Sequence, residues 1–212
     1  MNSTRALLAS LWIAACLAPG WMPGRRGLDA CLMLGWAALV APALGALAAQ
    51  YTRGVFALAV LGWAWAQCAL VLAFSERMVP EPACACAVIA ALGLCGHALA
   101  RAFGIRAPTL LVLSTGLCLL PSLPGWIGEP LPARYSALIL DLSPWTWVME
   151  AAGFDWLRHA AIYEPAGALD IDPGLRQAFP PLPTALTMAL IALLSAAAAE
   201  VLLRRRGSAL VR

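Results

Sequence analysis

The chain has 212 residues, of which 62% are hydrophobic and 12% charged, about half the charged content of an average soluble domain. Its formal charge of +3 is small and unevenly placed, which argues against a nucleic-acid-binding surface. All 14 basic residues are arginine, so a P-loop, which needs a lysine on the nucleotide phosphates, and Schiff-base catalysis, which needs a lysine amine, are both excluded.

Several apolar runs reach the roughly 20 residues needed to cross a bilayer core of about 30 Å. The sequence therefore predicts an all-α, polytopic membrane protein with about six transmembrane helices and short interfacial helices between helices five and six. The seven cysteines (Cys16, Cys31, Cys68, Cys84, Cys86, Cys95, Cys118) all fall in apolar runs, where cysteine behaves as a small hydrophobe. Cys84-Ala85-Cys86 has the look of a metal or redox pair, but no further ligands cluster with it. No metal and no cofactor is expected.

In chain order, a short polar lead with Arg5 precedes the first apolar run, Ala6 to about Trp21. A charged lead and an apolar core also fit a signal peptide, and Ile13 to Cys16 fits a lipoprotein-processing pattern. An uncleaved first span is the better reading, because further spans follow. Arg25-Arg26 closes the run, and Leu28 to Ala49 is the second span, with Asp29 at its solvated edge. Gly54 to Phe74 is the third; its Gln67 suits interhelical hydrogen bonding. After a loop marked by Pro80 and Pro82, Ala83 to about Ala100 is the fourth, with Gly93, Gly96 and many alanines suited to close helix packing. His97 sits near its end beside Arg101 and is read as an interfacial or core hydrogen-bonder. Ala107 to Leu123 is the fifth span, expected to break near Leu120 ahead of Pro121. Thr184 to Leu203 is the sixth, with Glu200 placed to snorkel or to pair with Arg204, Arg205 and Arg206. The chain divides into residues 1–124 (five spans), 125–183 (a long polar segment) and 184–212 (the sixth span and a basic tail).

The long segment carries seven of the eleven acidic residues: Glu129, Asp141, Glu150, Asp155, Glu164, Asp170 and Asp172. Ser143-Pro144 reads as a helix start, serine at the N-cap and proline at the first helical position. Gly153 reads as the stop, and Phe154 to Tyr163 as a second short helix. Trp145, Trp147 and Trp156 match the enrichment of tryptophan at the headgroup level. Asp155 and His159 are four apart, so they share a helix face. With Glu150 they could bind zinc or act as acid and base; the plainer reading is an i,i+4 pair on a wet surface. The arginine count of the short loops favours both termini in the cytoplasm and the acidic segment outside, with Arg25-Arg26 voting the other way.

Six spans, both termini inside, and a long outer segment with short helices between spans five and six resemble the permease subunits of ABC-2 type exporters. Ser143-Pro144-Trp145-Thr146-Trp147-Val148-Met149-Glu150-Ala151 is similar to a segment of those permeases that reads Asn-Pro-apolar-Thr-aromatic-apolar-apolar-Glu-Ala. Pro144, Thr146 and Glu150 fall on the family's positions, and Ser143 stands where it has asparagine. The chain departs from the family in the five residues ahead of its first run, where an amphipathic helix is usual. The connection from Gln50 to Arg53 is also short for a loop that contacts an ATPase. The resemblance implies a homo- or heterodimer in a bacterial cytoplasmic (inner) membrane, working with a separate ATP-binding subunit and contributing no catalytic residues. Two other readings stand beside it: a structural or assembly protein presenting its outer segment to a partner, and an integral-membrane enzyme using Glu150, Asp155 and His159.

Overall fold

The computed structural model describes the backbone of residues 28–51, 79–120, 133–154 and 179–209. They form α1 (Leu28–Tyr51), α2 (Pro82–Phe103), α3 (Ala107–Leu119), α4 (Ala133–Leu142), α5 (Pro144–Ala151) and α6 (Pro181–Ala209), with no strand among the described residues. The expected first and third spans, Arg25-Arg26, Gln67, and residues 155–178 lie outside the described residues. Pro82–Phe103 and Pro181–Arg206 are each long and apolar enough to cross a membrane, while Leu34–Ala49 and Ala107–Leu119 are shorter apolar helices.

The helix limits follow local chemistry. Pro82 takes a first-turn position in α2, where its missing N–H costs no bond, and Gly104 in the left-handed conformation (φ 70°) returns its N–H to the Ala100 carbonyl at 2.9 Å to end the helix. The α-helical part of α3 ends at Leu119, near the expected break; Leu120 keeps right-handed helical angles and is the last described residue ahead of Pro121. The sixth apolar helix starts at Pro181, earlier than the expected Thr184. Prolines 181 and 183 fall in its first turn, whose N–H groups have no helical acceptor in any case, so they do not delay it. Pro42 interrupts the ladder inside α1, since it brings no N–H to the Ala38 carbonyl.

Helix directions can be read from which ends meet. Gly35, near the start of α1, packs against Trp145 in α5, and Pro80 and Glu81, ahead of α2, meet Gly153 just past α5. Both helices thus begin at opposite ends of one eight-residue helix. At their far ends Ala46 and Leu47 of α1 pack with Leu99 and Ala100 of α2 and with Ala107 and Leu110 of α3. α1 and α2 therefore run parallel. α6 runs with them: Ala185 and Met188 join the main core near α5, and Ala199 packs on Ala98 and Ala102. α3 turns back through Gly104 and returns toward α5.

α1 and α2 approach until their backbones touch. A Cβ on Gly45 would land in the Gly93 carbonyl, and one on Gly96 in the Pro42 carbonyl. Alanines fill the rest of this seam: Ala38, Ala41, Ala85, Ala90 and Ala91 are buried, in keeping with the small-residue interfaces that let apolar helices pack by contact alone. Gly96→Val is expected to cost about 1–3 kcal/mol through overpacking, read as earlier thermal unfolding in detergent. Gly116→Ala in α3, where a Cβ meets nothing, should be neutral or stabilising by up to about 1 kcal/mol. Equal unfolding temperatures for the two variants would contradict the close crossing.

Candidate functional site

α5 is the best candidate because it is short, polar in part, and enclosed. It packs against α1, α2, α3, α4 and α6. Pro144, Thr146, Val148, Met149, Glu150 and Ala151 are all buried, and Ser143 and Ala152 at its two ends are fully so. The expected helix start and stop are both found. Pro144 is in the first turn, and past Ala151 the chain closes a Schellman motif: Phe154 N–H donates to the Met149 carbonyl at 2.9 Å and Gly153 N–H to the Glu150 carbonyl at 3.0 Å. Gly153 takes the positive φ of 80° that this motif needs.

Two bonds tie α5 to its neighbours. Glu81 N–H, just ahead of α2, donates to the Ala152 carbonyl at 3.1 Å, so an orphan group from each helix end satisfies the other. Trp147 Nε1 donates to the Asp141 carbonyl at 2.6 Å, fixing the corner between α4 and α5. The Trp145 ring fills the space left by the missing side chain of Gly35; a Cβ there would sit 2.6 Å from the ring's Cη2.

The sequence reading needs revising at three places. α5 lies inside the bundle, not on the outer interface, because Val148, Met149, Ala151 and Ala152 leave it no face suited to water. Trp145 and Trp147 accordingly serve packing and a backbone bond. Ser143 occupies the N-cap, but its hydroxyl makes no cap bond; it is buried with no hydrogen-bond partner among the described residues. α4 was not anticipated, and its sequence, Ala-Arg-Tyr-Ser-Ala-Leu-Ile-Leu-Asp-Leu, shows one clear signal: the spacing of Leu138, Ile139 and Leu142, which recurs at helical intervals.

Thr146 and Glu150, four apart, lie on one face of α5 and are both buried. Pro144 is buried with them, so the described structure brings the three resemblance positions together in the core. Asp155 and His159 lie outside the described residues. Among the described residues no group of three or more His, Cys, Asp or Glu could hold a metal ion. Among the described residues, the hydroxyls of Ser143 and Thr146 and the indole N–H groups of Trp36 and Trp145 are buried without hydrogen-bond partners. These atoms sit on α1 and α5 and just ahead of α5.

Protein-family models, curated proteins and solved structures were all compared with the chain, and none matches it. The reading of the site therefore rests on its own geometry.

Ser143→Ala should change stability by less than about 0.5 kcal/mol, where loss of a working N-cap typically costs about 1 kcal/mol. Trp147→Phe, which keeps the ring but loses the N–H to Asp141, should cost about 1 kcal/mol. Thermal unfolding of the detergent-solubilised variants measures both, and the reverse ranking would show that the cap and the corner bond are misassigned.

Proposed function

We propose that the chain is the membrane-spanning permease subunit of an ABC-2-like exporter, moving substrate across a bacterial cytoplasmic membrane with a separate ATP-hydrolysing subunit. The observation that carries the reading is α5 itself, a short helix between the fifth and sixth spans whose Pro144, Thr146 and Glu150 are buried against the long helices. A rearrangement of those helices would have to pass through it.

The six-span topology is part of the proposal, and the helix directions support it. Because α1 and α2 run parallel, the chain joining Tyr51 to Pro82 has to return from one end of the bundle to the other, and the apolar run from Gly54 to Phe74 is long enough to do so. Likewise α3 runs against α2 and α6 runs with it. Orientation follows from charge. Arg101, Arg106, Arg204, Arg205 and Arg206 gather at the end where α2 and α6 finish, while Asp141 and Glu150 belong to α4 and α5 at the other. The positive-inside rule favours a cytoplasmic arginine end, which supports the part of the proposal that puts both termini in the cytoplasm.

In this reading the subunit works as a dimer and supplies shape rather than catalysis. ATP binding to the partner shifts an equilibrium between inward- and outward-facing forms, and α5 links the helices that move.

The test is an affinity pull-down of the mildly solubilised chain with mass spectrometry of what accompanies it. A stoichiometric P-loop ATPase is the expected result. Recovery of outer-face or membrane proteins alone would instead favour a structural or assembly role. With the ATPase in hand, Glu150→Gln should leave its retention unchanged and lower ATP turnover by about fivefold or more, the low end of ordinary coupling energies. Unchanged turnover would remove Glu150 from the coupling path.

A further inference from the structure

Arginines from three stretches of chain meet at one end of the bundle. Arg101 lies in the last turn of α2, Arg106 at the N-cap of α3, and Arg204, Arg205 and Arg206 near the end of α6. All five are exposed. Glu200 is the one carboxylate on these stretches among the described residues, and it pairs with Arg101 at 2.6 Å. Arg206 Nη1 reaches across to donate to the Ala102 carbonyl at 2.9 Å, where the end of α2 offers partial negative charge. These two contacts pin α6 to α2 and fix the frame of the cluster. Arg106 and Arg204 then add positive charge on either side of it.

Apolar surface adjoins the cluster. Phe103 is 61% exposed, and Val201 and Leu202 are exposed one turn or less before the arginine run of α6. Guanidinium groups next to bare apolar side chains match one occupant in both parts. The phosphate of an anionic glycerophospholipid accepts bidentate N–H bonds from arginine, and its acyl chains cover the apolar side chains alongside. An acidic soluble protein would answer the charge and leave Phe103 and Val201 against water. We infer that the end of the bundle formed by α2, the α2–α3 turn and α6 holds the headgroup of an anionic phospholipid, with Arg106 and Arg204 facing the phosphate. The inference rests on the membrane reading above but not on the transport reading.

The test uses the purified full chain in phosphatidylcholine nanodiscs containing a minority of phosphatidylglycerol, with the retained lipid measured by native mass spectrometry. Each arginine near an anionic headgroup is worth about fivefold in binding, so Arg106→Gln with Arg204→Gln should lower phosphatidylglycerol retention by about tenfold or more. Arg25→Gln with Arg26→Gln, which removes the same charge elsewhere in the sequence, should leave it unchanged. Equal losses in the two double variants, or no loss in either, would overturn the inference. Displacement of the lipid by free glycerol phosphate would overturn it as well, by showing that a soluble anion is the ligand. So would capture of an acidic protein at this end with no lipid retained. Alkaline extraction from pure phosphatidylcholine vesicles separates the two readings. A chain that is extracted sinks the membrane reading, whereas one that stays inserted without preferring phosphatidylglycerol sinks only the headgroup site.

Discussion

An eight-residue helix with hardly any exposed surface touches all five of the other described helices. α5 is too short to be stable alone, since isolated helices below about 12–15 residues are marginal in water. Its conformation is set by its surroundings: Gly35 admits the Trp145 ring, Glu81 N–H takes up the Ala152 carbonyl, and the Schellman turn at Gly153 redirects the chain. The dependence runs both ways. α1 and α2 touch backbone to backbone along Pro42 to Gly45 and Gly93 to His97, and nearer their starts α5 packs against both.

The same arrangement separates two kinds of apolar surface. Buried residues make up 56% of the apolar stretch of α2 but only 17% of that of α6. The difference is geometric: α2 is surrounded by α1, α5 and α6, while α6 meets the described bundle along one stripe of Thr184, Ala185, Met188, Ala192 and Ala199. Its other sides present Leu186, Leu190, Leu193 and Leu194 outward. A water-soluble helix would carry many polar residues on those sides; before Glu200 this one carries only Thr187 and Ser195, whose hydroxyls donate to the Pro183 and Ile191 carbonyls of the same helix. The stripe of small residues lets α6 lie close to α2, and the leucines are left for a surrounding that is itself apolar.

Much of this was legible in the sequence because it depends on local chemistry. The limits of α2 at Pro82 and Gly104, and the start and stop of α5 at Pro144 and Gly153, follow from proline's missing donor and glycine's access to positive φ. What the sequence did not reveal depends on partners distant along the chain. Glu200 has arginines within one turn on its own helix, yet it bonds Arg101, 99 residues away, because α2 ends alongside it. Trp145 and Trp147 fit a headgroup belt by composition; Gly35, 110 residues from Trp145, and the Asp141 carbonyl, on the neighbouring α4, draw them inward. The depth of α5 did have a sequence signal, an apolar character on every side with one charged residue in eight.

That one charge separates folding from function. In α5 the carboxyl at position 150 is buried and lies in the last turn, where the helix end already carries partial negative charge. Thr146, a turn earlier on the same face, adds a buried hydroxyl with no partner among the described residues, and Ser143 adds another. Their presence in the helix on which the packing depends makes α5 the part of the chain where polar chemistry and helix movement would act on the same residues.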